Sequence, residues 1–145
     1  MTLEDVGADN LRACTALEVD EQQQRFVVPV ANYLAQCAES DSPWHPLAVR
    51  VQQQIVGFVL WGIDPADQSF WIGGLIIDRR HQRQGYGRAV VAQLLARAAS
   101  NGHHEAALSY DTQNTVARSL YASMEFVETG ELTDDGETVA RKQLK

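Results

Sequence analysis

The sequence predicts a mixed α/β fold, in which a central, mostly antiparallel sheet of six to seven strands is flanked by four helices. Apolar runs of strand length alternate along the chain with segments whose apolar residues recur every three or four positions, as they do on one face of a helix. Three of the six connections between the predicted strands are short turns, which favour antiparallel pairing. The 145 residues predict one domain over residues 1–145, because a chain of this length can bury a core of its own.

The N-terminal part predicts one short strand and two helices. Residues 3–6 predict the strand, and Asn10, or the aspartate before it, can cap a first helix that ends at Leu17. A second helix is predicted over residues 21–38, where Pro29 should kink or break it because proline has no backbone N–H. The buried side of this second helix is predicted to carry Phe26, Val27, Val30, Tyr33 and Leu34.

Three strands follow in the middle of the chain. Residues 44–50 and 55–63 predict a hairpin, and its second strand is apolar on both faces, as in the centre of a sheet. Residues 69–78 predict the next strand. In this strand the adjacent Gly73 and Gly74 indicate either a bulge where another backbone approaches or room for a neighbouring side chain.

The C-terminal half predicts two helices and three strands. Asn101-Gly102 ends the first of these helices, since glycine is common directly after a helix, and Asn114 is a suitable N-cap for the second. In chain order, the five elements are predicted over residues 87–100, 105–110, 115–124, 126–129 and 137–144.

The composition argues against two classes of partner. A net charge of −7 argues against nucleic acid, whose recognition needs a basic surface, and is compatible with a small cationic substrate. The chain has no apolar run of about 18 residues, so no membrane span is predicted. The acidic residues 1–5 include no apolar signal segment, which predicts a cytoplasmic protein. Cys14 and Cys37 stand far apart, which predicts reduced thiols and no metal site.

One turn has the features of a pyrophosphate site. The segment 82–87 reads Q-R-Q-G-Y-G between an apolar strand and a helix, with Arg83 and Arg88 on either side of its glycines. Glycines let backbone N–H groups turn towards one ligand, and the helix behind them adds the positive end of its dipole. A Rossmann fingerprint would need a third glycine where Val90 stands, and a Walker loop would need Gly-Lys followed by Ser or Thr, which is absent. Neither of these two patterns fits, which leaves Q-x-x-G-x-G before a helix as the description of this turn.

A second motif lies downstream, where residues 114–126 read N-T-V-A-R-S-L-Y-A-S-M-E-F. With these two motifs the chain resembles the GNAT acetyltransferase superfamily. Its members pair a Q/R-x-x-G-x-G/A turn with an N-x-x-A-x-x-L-Y-x-x-x-G-F helix, and the resemblance covers nearly the whole chain. Glu125 replaces the glycine of this motif, which should cost about 1 kcal/mol if the residue is left-handed.

The resemblance implies the GNAT fold and direct transfer of an acetyl group from acetyl-CoA to a primary amine. Asn114 would bond the cofactor arm, and Tyr121 would lie beside the sulfur and protonate the leaving thiolate. A phenol with a pKa of about 10 can supply a proton where a carboxylate at pH 7 cannot. The backbone that would bind the pantetheine arm belongs to Leu75, Ile76 and Ile77. The residues that would bind the pyrophosphate are Arg83, Gln84, Gly85, Tyr86, Gly87 and Arg88.

Several stretches also resemble bacterial diamine and spermidine acetyltransferases, among them residues 26–38, Pro43-Trp44-His45 and 136–141. A diamine or polyamine is therefore the predicted acceptor. An amino acid, an aminoglycoside or a peptide N-terminus is the alternative acceptor, and a non-catalytic acyl-CoA sensor is the alternative function. GNAT proteins are often dimers, which makes a homodimer one expectation.

The general base is left open by the sequence. Many relatives carry an acidic side chain in the middle of the fourth strand, where this chain has Gly73 and Gly74. The carboxylates that remain as unranked candidates are those of Glu18, Glu21, Asp41 and Asp111. Three tryptophans could wall an aromatic pocket for a cationic amine or pack in the core. They are Trp44, Trp61 and Trp71.

Overall fold

The structure, a computed structural model, describes residues 1–144 and contains seven strands and four α-helices in that range. Two short 3-10 turns accompany them, at Glu21–Gln23 and Arg79–His81. In chain order the elements are β1 (Thr2–Asp5), α1 (Leu11–Thr15), α2 (Val30–Cys37), β2 (Trp44–Val51), β3 (Gln54–Ile63), β4 (Phe70–Ile77), α3 (Tyr86–Ser100), β5 (Glu105–Tyr110), α4 (Thr115–Ser123), β6 (Val127–Leu132) and β7 (Thr138–Gln143).

The seven strands form one sheet in the order β1-β2-β3-β4-β5-β7-β6. Neighbouring strands pair antiparallel except β4 and β5, which are parallel because α3 connects them across one face of the sheet. The predicted mixed, mostly antiparallel sheet with four helices is confirmed. No helix among residues 1–144 combines the length and the apolar composition that a membrane span requires.

The sheet separates two apolar cores. The larger core lies under α3 and α4, where Phe70, Leu94 and Leu108 have almost no exposed surface. The smaller core lies under α1 and α2 and includes Cys14 and Phe58. Burial of one such large apolar side chain contributes roughly 1.5–3 kcal/mol to folding. Together the two cores fix β4, which lies between them, from both faces.

The predicted second helix over residues 21–38 is wrong in its first half. Only a 3-10 turn forms at Glu21–Gln23, and the helix itself begins at Val30. Pro29 is its N-cap, with ψ of 148°, because proline has no N–H to donate and its ring forces the preceding residue out of the helical region. Residues 24–29 therefore form an irregular segment along one edge of the site described below.

Smaller outcomes concern a helix cap, a strand end and one backbone conformation. Asn10 precedes α1 as predicted, but its side chain accepts from the N–H of Gly7 at 2.8 Å instead of capping the helix, which ends at Thr15. The sixth strand extends to Leu132, three residues beyond its predicted end. Glu125 adopts φ of 72°, the left-handed conformation expected where the motif has glycine.

Both predictions for Gly73 and Gly74 are confirmed. The pairing of β3 with β4 shifts register opposite them, and Gly74 has φ of 56°, so the strand contains a bulge. At Gly73 a Cβ atom would lie 3.3 Å from the Trp44 ring, so this glycine also provides room for a side chain. After the bulge the alternation of the strand is reset, and Leu75 again faces the core under α3 and α4.

Candidate active site

A cleft opens where the parallel strands β4 and β5 separate. Within residues 1–144 the two strands pair at two positions, the second being Trp71 with Ala107, so the rest of β4 has no partner on that side. Backbone N–H and C=O groups along this edge of β4 are therefore available to an extended ligand. The cleft has a volume of about 710 Å³, and Leu75 and Ile77 of β4 line it.

The N-terminus of α3 forms one wall of the cleft. Gly85 caps the helix with φ of 82°, a conformation that glycine adopts without steric cost, and Arg83 is also left-handed with φ of 63°. Such backbone turns successive N–H groups to one side. Within residues 1–144, no backbone N–H from residue 83 to residue 88 has an acceptor in the protein. These free N–H groups and the helix dipole suit the oxygens of a pyrophosphate.

Side chains on both sides hold this turn in place. The Gln82 Nε2 group donates to the Ile77 carbonyl at 2.9 Å and to Gln23 Oε1 at 3.1 Å. On the other side, Arg88 Nη2 donates to Ser123 Oγ of α4 at 2.5 Å. The first residue of the Q-x-x-G-x-G motif therefore anchors the turn to the end of β4, a positioning role that the sequence did not indicate.

The wall opposite β4 is α4. Asn114 caps this helix as predicted, with its Oδ1 accepting from the Ala117 N–H at 3.2 Å, which leaves its amide nitrogen available. Tyr121 lies two turns further along and lines the same cleft as Leu75 and Ile77. Its ring stacks on Tyr110 at 5.8 Å and meets Phe126 edge-on at 6.0 Å. Packing on both sides fixes the direction of the phenol.

Burial determines the acid strength of Tyr121. Removal from water raises the pKa of its phenol to about 12, with a smaller contribution from Tyr110, because a buried phenolate is poorly solvated. Within residues 1–144 no hydrogen bond satisfies its hydroxyl. The hydroxyl therefore does not bond to the backbone of these residues. At neutral pH the group is a protonated donor at the wall of the cleft.

The structure brings together all but two of the residues that the family motifs indicated as binding the cofactor. Ile76 differs because its side chain points into the core under α1 and α2 and is 4% exposed, which leaves only its backbone at the strand edge. Gln84 is exposed on the turn and does not line the cleft. Those that line the cleft are Leu75, Ile77, Arg83, Gly85, Tyr86, Gly87, Arg88, Asn114 and Tyr121.

Residues 8–126 match the model of the acetyltransferase (GNAT) family. This match covers more than half of the chain and includes both motifs. The chain belongs to the GNAT family. It is accordingly an acetyl-CoA-dependent N-acetyltransferase, as the sequence predicted.

A curated relative agrees with this assignment, and solved structures share the fold. The GNAT protein is 27% identical over 146 residues to the spermine/spermidine N(1)-acetyltransferase of Bacillus subtilis (strain 168), which covers 96% of this chain and 95% of that protein. The spermidine N-acetyltransferase of Vibrio cholerae, solved with CoA and spermine, has a TM-score of 0.74 at 21% identity and covers 97% of this chain and 92% of that one. The ribosomal-protein-S18-alanine N-acetyltransferase of Escherichia coli has a TM-score of 0.70 at 20% identity, and the match covers 99% of this chain and 92% of that one. The GNAT fold and the similarity to bacterial spermidine acetyltransferases are confirmed.

The four carboxylates that the sequence offered as a base do not converge in the GNAT protein. Glu18 pairs with an arginine, and Glu21 is exposed in its 3-10 turn. Asp41 lines a separate hollow, and Asp111 accepts an N–H in the turn before α4. None of the four lines the cleft that contains Tyr121.

The tryptophans divide between core and surface. Trp61 packs against Phe70 at 5.6 Å, at the edge of the larger core. Trp44 lies over Gly73, and together with Trp71 it lines a hollow of about 270 Å³. Two of the three therefore remain available to form an aromatic wall beside the middle of β4.

A buried carboxylate that the sequence analysis missed joins the N-terminal loop to the 3-10 turn that follows β4. Asp78, directly after β4, is 2% exposed, and its Oδ1 accepts from the Glu18 N–H at 3.0 Å. Its Oδ2 accepts from Arg80 Nε at 2.9 Å. Burial alone would raise the pKa of Asp78, but these donors outweigh it and leave the pKa below its usual value. An acidic residue at the end of an apolar strand was the signal available in the sequence.

Replacement of Asp78 by alanine should lower the free energy of unfolding by about 1–3 kcal/mol, because the N–H of Glu18 and the guanidinium of Arg80 both lose the buried carboxylate that accepts from them. Urea unfolding at pH 7 measures this loss, and Asp64→Ala, at an exposed turn, is the matched control. Because the pKa of Asp78 is lowered by folding, its stabilisation is present above the unfolded value of about 3.9 and is lost as the pH falls further. A variant as stable as the control would contradict this account.

Proposed function

We propose that this GNAT enzyme transfers the acetyl group of acetyl-CoA to a primary amine of a diamine or polyamine such as spermidine. The observation that carries the proposal is the similarity to the Bacillus subtilis spermine/spermidine N(1)-acetyltransferase, which extends over 96% of the chain. The net charge of −7 supports it, since an acidic protein attracts a polycation.

The donor would lie in the cleft between β4 and α4. The N–H groups of residues 83–88 would bind the pyrophosphate, and Arg83 and Arg88 would add positive charge beside it. The pantetheine arm would continue along the open edge of β4, where it takes the place of a neighbouring strand. Asn114 lines the same cleft, and its amide nitrogen would bond this arm.

At the thioester, the backbone of β4 and the phenol of Tyr121 would each act on a developing negative charge. A fixed N–H near Ile76 or Ile77 would stabilise the oxyanion that forms when the amine attacks, and such a donor is typically worth about 3 kcal/mol. The Tyr121 hydroxyl would donate to the leaving thiolate. Because it has no other partner within residues 1–144, its hydrogen bond is available for this purpose.

The acceptor would approach from the side of α2. There the Trp44 ring covers Gly73 and lines a hollow of about 530 Å³ together with Glu39 and Asp41. An aromatic face next to carboxylates attracts an ammonium group by charge and by cation–π interaction. A polyamine offers a second ammonium for such a place, whereas a peptide N-terminus does not.

Two measurements test the proposal. Thermal unfolding with acetyl-CoA, NAD or ATP tests the donor, and stabilisation by acetyl-CoA alone is expected. Thiol release with spermidine, spermine, putrescine, lysine and an alanyl peptide tests the acceptor, and spermidine and spermine are expected to be the best substrates. Preference for the alanyl peptide would instead support a peptide N-terminus as acceptor. A cytoplasmic location and a homodimer remain predictions alongside this proposal.

Gly85→Ala should weaken acetyl-CoA binding by about tenfold, because the added methyl group projects from the turn where the pyrophosphate would bind. The matched control is Gly102→Ala at the other end of α3. Both glycines have φ above 80°, and neither Cβ would meet an atom within 4 Å, so both variants carry the same backbone strain. Calorimetric titration with acetyl-CoA separates them. Equal affinities in the two variants would show that the turn does not contact the donor.

A further inference from the structure

The face of the sheet under α2 contains a second set of polar groups opposite the Tyr121 cleft. Ala106, Leu108 and Tyr110 of β5 point into the core under α3 and α4, so strand alternation turns Ser109 to the other face. The last paired residues of β4 and β5 are Trp71 and Ala107. Two positions beyond them, where the strands have separated, stand Gly73 and Ser109.

Glu137, the residue before β7, joins Ser109 on this face. Its Oε1 accepts from Ser109 Oγ at 2.8 Å. Its backbone is held as well, since its N–H donates to Thr133 Oγ1 at 3.0 Å and its carbonyl accepts from the Thr133 N–H at 2.9 Å. The carboxylate is therefore fixed across the opening from the β4 bulge, even though it lies beside a turn.

The other side of the opening is Tyr33 of α2. Its ring lies above the bulge, 3.3 Å from the position that a Cβ of Gly74 would take. Burial is the main cause that raises the pKa of the Tyr33 phenol, and the nearby charge of Glu137 adds to it. Tyr33 thus connects the bulge at Gly74 with the pair of Ser109 and Glu137 on this face of the sheet.

One oxygen of the Glu137 carboxylate, Oε2, has no hydrogen-bond donor among residues 1–144. No Lys, Arg or His in this range pairs with the carboxylate either. By contrast, Glu128 and Glu131 of the neighbouring strand β6 are both paired with arginines. A half-buried carboxylate without a cation of its own is suited to attract one.

We propose that Glu137, positioned by Ser109, binds the acceptor's reactive ammonium group and removes its proton, so that it is the general base of the reaction. This assignment rests on the proposed function. It explains how the enzyme can lack a carboxylate at Gly73 and Gly74, because Glu137, directly before β7 on the far side of β5, would supply one on the same face of the sheet. The hydroxyl of Ser109 fixes Oε1 and leaves Oε2 for the amine.

The proton and electron balance follows from this placement. The ammonium group gives a proton to Glu137, and the freed lone pair forms a C–N bond to the thioester carbon. The C–S bond then breaks, the sulfur takes the electron pair, and Tyr121 gives it a proton from the opposite face. The phenolate regains a proton from the acetylated nitrogen through solvent, and Glu137 releases its proton to water. The products are the N-acetyl amine, CoA thiol and one proton.

Glu137→Gln tests the assignment, because glutamine keeps the shape and the acceptor for Ser109 but cannot take a proton. At pH 7 we expect kcat/KM for the amine to fall about 10²-fold, while calorimetric affinity for acetyl-CoA is unchanged. The rate should recover towards the wild-type value as the pH approaches the amine pKa of about 10.4, since the amine then arrives unprotonated. Glu131→Gln, on β6, is the matched control and should keep the wild-type rate.

The outcomes separate the two proposals. A wild-type protein that turns over spermidine, with a Glu137→Gln variant equally fast at pH 7, overturns the role of Glu137 and leaves the proposed function intact. A wild-type protein that binds acetyl-CoA but acetylates no amine overturns the proposed function and the base together. If Glu137→Gln lowers the rate equally at pH 7 and pH 10, the carboxylate binds the amine without removing its proton, and the proposal is wrong on that point.

Discussion

Replacing Tyr121 by phenylalanine should lower kcat roughly 10³-fold and leave the affinity for acetyl-CoA unchanged. General acids contribute about 10²–10⁴ to a rate, and a 10³-fold loss corresponds to about 4 kcal/mol of transition-state stabilisation. The ring itself is retained, so its packing between Tyr110 and Phe126 is retained as well. Single-turnover thiol release measures the loss at the chemical step.

Tyr110→Phe is the matched control for this change. Its ring stacks on Tyr121, but its hydroxyl donates to Glu128 at 2.7 Å and does not face the cleft. We expect this variant to be slightly less stable and nearly as fast as the wild type. Equal rates in the two variants would show that the Tyr121 hydroxyl has no part in the chemistry.

The high pKa of Tyr121 also determines its pH dependence. Because its folded pKa is about 12, the group remains a proton donor throughout the range in which amines lose their protons. Activity should therefore rise towards pH 10 without an alkaline limb from this residue. Folding raises the pKa above the unfolded value of about 10, so the related stabilisation is present below pH 10 and is lost as the pH rises towards 12.

The second large effect is expected at the bulge. Gly74→Ala should lower kcat/KM for acetyl-CoA about 10²-fold and destabilise the fold by about 1–3 kcal/mol. An alanine there would be left-handed, and its Cβ would lie 3.2 Å from Leu60 and 3.3 Å from Tyr33. Relief of these contacts moves the open edge of β4, and a shift of about 1 Å at a reacting centre is enough for such a loss.

Gly130→Ala is the control that measures the effect of left-handed backbone strain without a displacement of β4. Gly130 has φ of 87°, and its Cβ would meet no atom within 4 Å, so this variant carries the left-handed strain alone. It should lose about 1 kcal/mol of stability and no activity. If Gly74→Ala is as active as this control, the exact course of β4 at the bulge is not required for turnover.

The elements with a clear local signal were predicted from the sequence, and those that depend on distant residues were not. Asn114 caps α4 because a cap needs only the next three residues. The left-handed conformation of Gly85 likewise depends on a single residue, because glycine adopts a positive φ without steric cost. The Pro29 position indicated a break but not which side of it would remain helical. That choice depends on how Val30 packs in the core under α2.

The site shows the same division. The turn and Tyr121 lie within continuous motifs, so the family resemblance was enough to find them. The contact between Ser109 and Glu137 joins residues 28 positions apart through the pairing of β5 with β7. No pattern in the sequence indicates that diagonal contact, and the four acids selected as base candidates were chosen without it. Asp78 likewise depends on a loop that begins 60 positions earlier.

The run of N–H groups without acceptors at residues 83–88 affects which positions of this enzyme can be substituted without loss of donor binding. Every amino acid except proline supplies the same N–H, so under the proposed function the binding of the donor would depend little on which side chains occupy positions 84 and 86. The acceptor, in contrast, would meet side chains carried by α2, β5 and the start of β7. Acceptor specificity is therefore expected to change with the residue at position 33 of α2, while Glu137, Ser109 and the donor half of the enzyme stay untouched.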